Sequence, residues 1–381
     1  MTILFEHARK LDASGEVDDF WMLVDGDTIT ATGHGAAPAA LVTAADSRVD
    51  VAGEWLVPGF IDLHCHGGGG HSFEDGPDAI VAALATHRAH GTTRSVISLV
   101  ANPVPVLTRN LATIADLCDA DPLLLGAHLE GPFLESEHRG AHNPAYLQDP
   151  QPAVVAELLE AARGCIRHMT VAPDLPNAME TIEILVEAGV VVAVGHTNAT
   201  AEQSALAFAS GARMLTHAFN AMPGIHHRAP GPVVAAFENE SVILELIVDA
   251  VHVHPDVVRL AFAAAPGRVA IVTDAMAAAG SADGDYQLGS LAVTVKDGQA
   301  VLRGTNTIAS STLTMDRALR IAIDTVGLSP REAVEAVTLA PAKALGLERR
   351  LGLLAPGYAA DAVMLDHSWA VTGVWGGGTA L

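Results

Sequence analysis

Residues 58–70 read Pro58-Gly59-Phe60-Ile61-Asp62-Leu63-His64-Cys65-His66-Gly67-Gly68-Gly69-Gly70. The apolar run from Val57 to Leu63 has the length of a buried strand. It stops at two histidines and four glycines. Strand side chains alternate faces, so His64 and His66 point one way and Cys65 the other. Two imidazoles side by side at a strand end can bind one metal ion, and the glycines are expected to let the backbone approach a ligand. Alone, HxH is a short and unspecific pattern, and a histidine pair on an exposed loop edge is its plainer alternative. The downstream sequence decides.

Downstream the pattern alternates. Further apolar strand candidates lie at Thr92–Leu99, Leu123–Leu129, Ile166–Val171, Val190–Val194, Met214–Thr216, Ile243–Val248 and Val269–Thr273. Ala/Leu/Glu-rich helical stretches separate most of them: Pro77–His90, Pro152–Ala162, Ala178–Ala188, Ala201–Ser210 and Pro255–Ala265. Eight such alternations predict an α/β fold, a (β/α)8 TIM-type barrel. Two more helices are expected near Thr312–Val326 and Pro330–Leu339, and an inserted hairpin over Tyr286–Leu302 turning at Lys296-Asp297-Gly298.

The two ends of the chain differ from this middle. Phe20–Val24, the Asp25-Gly26-Asp27 turn and Thr28–Thr32 read as a hairpin. Gly352–Leu354, the Pro356-Gly357 turn and Ala360–Leu365 read similarly. Neither end has strands enough for its own core. The expectation is one small β-sandwich domain from residues 1–55 plus 347–381, with the barrel, residues 56–346, inserted between them.

Composition excludes several classes. Half of the 381 residues are hydrophobic and 17% are charged, which favours a large core over disorder. A formal charge of −23 argues against nucleic acid and anionic membrane surfaces as partners. Three widely spaced cysteines (Cys65, Cys118, Cys165) make neither a disulfide framework nor a CxxC site. With no signal-like N-terminus and no membrane-length apolar run, a cytoplasmic protein is expected.

Chemistry in such barrels sits at the C-terminal ends of the strands. There the sequence places His64 and His66, then Glu130 after His128-Leu129, His196 after Gly195, His217 after Thr216, and Asp274 after Thr273. One such histidine would be an ordinary buried imidazole; this series is a metal site. Glu130, His196 and His217 fit the three ligands of a catalytic centre, with His64 and His66 serving the same ion or a second one. Mixed imidazole and carboxylate donors suit zinc, iron, cobalt or manganese alike. Asp274 fits a proton shuttle beside metal-bound water, with a metal ligand or helix N-cap as its plainer alternatives. The Pro/Gly-bounded loop from Asn220 to Gly231 brings His227 and Arg228 into an acidic protein, as an anionic, phosphorylated substrate requires; a surface arginine is the plainer alternative. A polar loop over Glu135–Pro144 reads as a pocket rim.

These residues carry a resemblance. Pro58-Gly59-Phe60-Ile61-Asp62-x-His64-x-His66 resembles the opening of the amidohydrolase superfamily. A narrower set is similar to the N-acetylglucosamine-6-phosphate deacetylases: His128-Leu129-Glu130-Gly131-Pro132-Phe133, Gly140-Ala141-His142-Asn143-Pro144, Val194-Gly195-His196-Thr197, Thr216-His217-Ala218-Phe219-Asn220-Ala221-Met222, His227-Arg228-x-Pro230-Gly231 and Thr273-Asp274-Ala275. The match runs in order from about Leu56 to Asp361 and also covers the split terminal domain.

The resemblance implies metal-dependent conversion of N-acetyl-D-glucosamine 6-phosphate to D-glucosamine 6-phosphate and acetate, in amino-sugar breakdown or recycling. It assigns the metal to Glu130, His196 and His217, with His64 and His66 retained for one or two divalent ions per subunit, zinc foremost. Asp274 would activate water and protonate the departing amine, and His142 would polarise the acetyl carbonyl. Asn220, Ala221, His227, Arg228 and His252 would contact the sugar phosphate, and Ala141 with Ile308, Ala309 and Ser310 would line the sugar pocket. A homodimer with the Arg228 loop at its interface is implied. Two alternatives stand beside this: another amidohydrolase, acting on cyclic amides or as a deaminase, and a silent sugar-phosphate-binding regulator.

Overall fold

The computed structural model describes all 381 residues. Eight parallel strands follow one another round a single sheet: β1 (Phe60–Cys65), β2 (Thr92–Val100), β3 (Leu124–Glu130), β4 (Ile166–Val171), β5 (Val191–Val194), β6 (Met214–Leu215), β7 (Ile243–Ile247) and β8 (Val269–Val272). Helices Pro77–Ala89, Val104–Ala120, Pro152–Ala162, Ala178–Glu187, Ala201–Ala209, Gly231–Glu238 and Pro255–Ala264 connect them. The expected barrel is present. Its strands are buried on both faces because helices cover the outside and neighbouring strands fill the inside.

Closure between β1 and β8 relies on a side chain as well as backbone. The Asp62 carboxylate accepts from the Thr273 N–H at 3.2 Å and from Thr273 Oγ1 at 2.6 Å. Just beyond, Asp274 N–H donates to His64 O at 2.8 Å and His66 N–H to Ala275 O at 2.7 Å. The seam thereby ties the first and last polar strand ends together.

Both termini build one eight-stranded sheet, with Trp55–Pro58 lying between Thr2–Asp12 and Ala362–Leu365. The sheet folds over its own core. Phe5 meets Trp375 edge-on at 5.0 Å, and Ile29 exchanges backbone hydrogen bonds with Gly357 and Tyr358. This gives the expected β-domain from both ends of the chain.

Four local expectations change. Val57–Leu63 is not one strand: Trp55–Pro58 joins the terminal sheet and Phe60–Cys65 the barrel. The chain crosses between them at Gly59, where a Cβ would lie 2.1 Å from Thr93 Oγ1. Gly352–Leu354 forms no strand, because the Leu354 N–H is taken by the Asp12 carboxylate at 3.1 Å. The Tyr286–Leu302 hairpin gains a third strand, giving Gly284–Leu288, Leu291–Lys296 and Gln299–Leu302. The helix expected over Thr312–Val326 starts at Met315 and ends in a π-helical turn, Ile321–Thr325.

Candidate metal centre and active site

The C-terminal ends of β1, β3, β5, β6 and β8 converge on Glu130. Its Oε1 lies 3.0 Å from both His196 Nε2 and His217 Nε2, and 3.3 Å from His64 Nε2. Its Oε2 lies 3.2 Å from His66 Nε2 and 3.4 Å from His142 Nε2. His196 and His217 Nε2 are 2.9 Å apart, and His64 and His66 Nε2 3.1 Å. A tetrahedral cation with ligands at about 2.0–2.1 Å spaces its donors by about 3.3 Å. The cluster has that spacing.

Backbone geometry aims these groups. His196, His217 and Asp274 each follow their strand end after one intervening residue, with φ of 47°, 23° and 46°. Left-handed backbone at non-glycine residues costs about 1–3 kcal/mol each and persists only where surroundings impose it. Gly195 is needed for packing, since a Cβ there would sit 2.6 Å from the Thr216 Cβ.

Hydrogen bonds on the far ring nitrogens set tautomers. His196 Nδ1 faces His138 O at 2.9 Å, so Nδ1 carries the proton and the Nε2 lone pair points into the cluster. His142 is the reverse. Its Nδ1 accepts the Ala101 N–H at 3.2 Å, which leaves the neutral ring's proton on Nε2, facing the cluster as a donor. Lone pairs converge with a shared carboxylate, and this donor set fits a divalent cation.

A second buried group, Asp62, Cys65 and His87, has metal-like spacing but lacks the electronics. Burial pushes the Cys65 thiol up to about 12. Asp62 is spent on Thr273, and His87 Nε2 contacts Gly67 O at 2.9 Å. It reads as packing.

Asp274 is 8% exposed, with Oδ1 3.3 Å from His66 Nε2 and 3.6 Å from His64 Nε2. Burial opposes its ionisation, but the facing His64 and His66 outweigh that and hold the carboxyl at about 2. The cluster floors a cavity of ≈ 220 Å³ whose walls include Ala141, Asn220, Ala221, His252, Ile308 and Ser310.

Three expectations fall elsewhere. His227 and Arg228 lie on an exposed loop outside this cavity, Arg228 Nη1 against His227 Nε2 at 2.8 Å. Ala309 turns away into a small core with Val293 and Val295 under the inserted strands. The glycines after His66 serve packing rather than a ligand: a Cβ at Gly67 would lie 2.4 Å from His71 O, and one at Gly68 2.7 Å from His87 Nε2. Sequence reading missed Glu245. The one available signal was an acid in the middle of the apolar run Ile-Leu-Glu-Leu-Ile of β7.

Comparison with known proteins agrees with this geometry. The amidohydrolase family model matches residues 55–380. The N-acetylgalactosamine-6-phosphate deacetylase of Escherichia coli O157:H7 is 34% identical over 379 residues, covering 98% of each chain. The human N-acetylglucosamine-6-phosphate deacetylase is 36% identical over 339 residues, 85% of this chain and 82% of that one. A mutant N-acetyl-D-glucosamine-6-phosphate deacetylase from Mycobacterium smegmatis, solved in complex with N-acetyl-D-glucosamine-6-phosphate, superposes with a TM-score of 0.93 at 41% identity, covering 100% of this chain and 98% of that one. With its barrel, its terminal sheet and its histidine–carboxylate strand ends, the chain belongs to the amidohydrolase family.

Proposed function

We propose that this chain hydrolyses N-acetyl-D-glucosamine 6-phosphate to D-glucosamine 6-phosphate and acetate. The observation that carries the reading is Asp274 Oδ1 at 3.3 Å from His66 Nε2, beside the Glu130 cluster at the floor of the cavity. A regulator that only bound sugar phosphate would have no use for a carboxylate there. Glu130, His196 and His217 would hold the metal ion, with His64 and His66 beside a second position; zinc is the ion we favour. When bound, a divalent cation supplies Lewis acidity, polarising a carbonyl and lowering the pKa of a water from about 15.7 towards 7.

The chain's own groups do the rest. The Asp274 carboxylate takes a proton from the attacking water as a C–O bond forms at the acetyl carbon. His142 Nε2–H donates to the acetyl oxygen while it carries negative charge. Asp274 then returns the proton to nitrogen as the C–N bond breaks, so the amine leaves neutral. Asn220, Ala221 and His252 would hold the sugar.

Arg228 and His227 would meet the phosphate. Because that loop is exposed and outside its own cavity, we place it over the site of a second subunit in a homodimer. Free Cys65, Cys118 and Cys165 support a reducing, cytoplasmic setting, and no helix is long and apolar enough to cross a membrane.

The test is acetate release from N-acetylglucosamine 6-phosphate and from unphosphorylated N-acetylglucosamine, with metal content recorded. Release confined to the phosphate is expected; none from a metal-loaded protein would defeat the assignment. Arg228→Ala is expected to raise KM for the phosphate about 10–100-fold, the worth of a hydrogen bond to a charged group, with kcat nearly unchanged. An unmoved KM would remove Arg228 from the site. A second substrate, the C4-epimeric N-acetylgalactosamine 6-phosphate, is favoured by the relative that matches 98% of the chain, and the ratio of kcat/KM for the two epimers ranks them.

His252 gives a pH signature. Burial works against its imidazolium, but the Asp249 carboxylate, 2.7 Å from Nδ1, outweighs burial and raises the pKa above its ordinary value. The cation is present below that raised pKa and is lost as pH rises through it. Asp249→Asn removes the raising partner, so the loss of substrate affinity on the alkaline side is expected at lower pH than in wild type. Superimposable KM–pH profiles would show that the pair does not bind substrate.

A further inference from the structure

Glu245 is a buried charge that the reaction as described leaves without a task. It sits in the middle of β7, 0% exposed, between apolar neighbours. A carboxylate in such surroundings costs several kcal/mol unless charges or donors meet it. Only one of its oxygens is met. Oε2 lies 3.1 Å from His64 Nδ1 and accepts the His217 backbone N–H at 3.3 Å, while Oε1 has no partner.

Both donors belong to candidate metal ligands, His64 at the end of β1 and His217 at the end of β6. A neutral imidazole carries one N–H. With that proton on Nδ1 and shared with Glu245, the Nε2 lone pair of His64 is free, and Nε2 is the atom 3.1 Å from His66 Nε2 and 3.3 Å from Glu130 Oε1. The other tautomer would set the Nδ1 lone pair against the Glu245 carboxylate and withdraw the ligating pair. Among the four imidazoles, His66 and His217 have no partner on Nδ1 and His196 has a backbone carbonyl. His64 alone has a carboxylate.

We propose that Glu245 is a positioning residue of the metal centre, fixing the His64 tautomer and the His217 backbone so that both Nε2 atoms face the Glu130 cluster. This rests on the metal-dependent reading given above. A carboxylate behind a ligating histidine orients the ring and raises its basicity, and losing such a partner weakens metal binding about 10–100-fold.

The test compares wild type, Glu245→Leu and Glu245→Gln, each stripped of metal and titrated with zinc against a chelating competitor. Glu245→Leu is expected to bind about 10–100-fold more weakly, and Glu245→Gln, which keeps an acceptor, to recover part of the loss. KM at saturating metal should stay within about twofold, as expected of a group that touches no substrate. A buried carboxylate with only a packing role predicts the opposite, because an apolar replacement is often neutral or stabilising. Zinc affinities of both variants within about twofold of wild type would overturn the proposal. A variant-independent measurement stands beside it: ¹⁵N-histidine spectra of zinc-loaded wild type, with the His64 signal identified by its absence in His64→Asn. A proton on Nδ1 is expected; a proton on Nε2 overturns the inference even if the Glu245 variants do not fold. Wild-type protein that takes up no divalent cation would instead defeat the metal-dependent reading itself, and this inference with it.

Discussion

Asp274→Asn is expected to lower kcat for acetate release about 10²–10⁴-fold, the usual contribution of a positioned general acid–base group, with metal content unchanged. The amide keeps the shape and the hydrogen bond from Ser310 Oγ, which lies 3.4 Å from Oδ1, but accepts no proton at neutral pH. Because Asp274 reaches the cluster from β8 while Glu130 links the remaining ligands, its loss leaves those donors in place. KM should therefore move little, and the whole effect should appear in kcat. Against the effect of burial, the facing His64 and His66 hold the carboxyl below its ordinary value, which favours the ionised form that accepts a proton. The measurement is steady-state acetate release with metal analysis on the same samples. A variant within about tenfold of wild type, metal-loaded, would move the proton shuttle elsewhere.

Much of this site was legible in the sequence because barrel geometry turns position into function. A polar residue directly after a buried parallel strand faces the ligand end, so His64, His66, Glu130, His196, His217 and Asp274 stood out without coordinates. Period-two alternation put His64 and His66 on one face, and the structure has their Nε2 atoms 3.1 Å apart. Failures came where chain direction or side-chain reach decides. At Gly59 an unbroken apolar run passes from one sheet into another, and hydrophobicity is blind to that step. The strand Thr2–Asp12 carries polar residues and bulges against Gly15–Asp25, so its alternation is blurred. Glu245 was hidden because its partners are 181 and 28 residues away. Arg228 stood out as a cation in an acidic chain, and the family resemblance already assigned its loop to a subunit interface; in the structure that loop is exposed and outside its own cavity.

Glu130→Gln is expected to produce the opposite phenotype from Asp274→Asn: activity is lost because the metal is lost. Both Glu130 oxygens are engaged, Oε1 with His64, His196 and His217 and Oε2 with His66 and His142. Burial opposes the ionised form, yet the imidazoles around it, His64 foremost, hold the carboxyl well below the usual range. Replacing it with a neutral amide keeps the volume but removes the only anion bridging the two halves of the cluster. A divalent cation would then be bound by imidazoles alone, with the amide NH2 directed at one set of Nε2 atoms. The fall in metal affinity should exceed the roughly 10–100-fold that loss of an outer partner costs, and hence exceed that of Glu245→Leu. Since metal stabilises the folded state in proportion to the logarithm of its concentration over Kd, a chelator should lower the Tm of wild type and leave that of Glu130→Gln nearly unmoved. Competition titration and melting with and without chelator make the comparison. If Glu130→Gln retained metal as wild type does while losing turnover, Glu130 would be acting on substrate, and the division of labour between Glu130 and Asp274 would have to be redrawn.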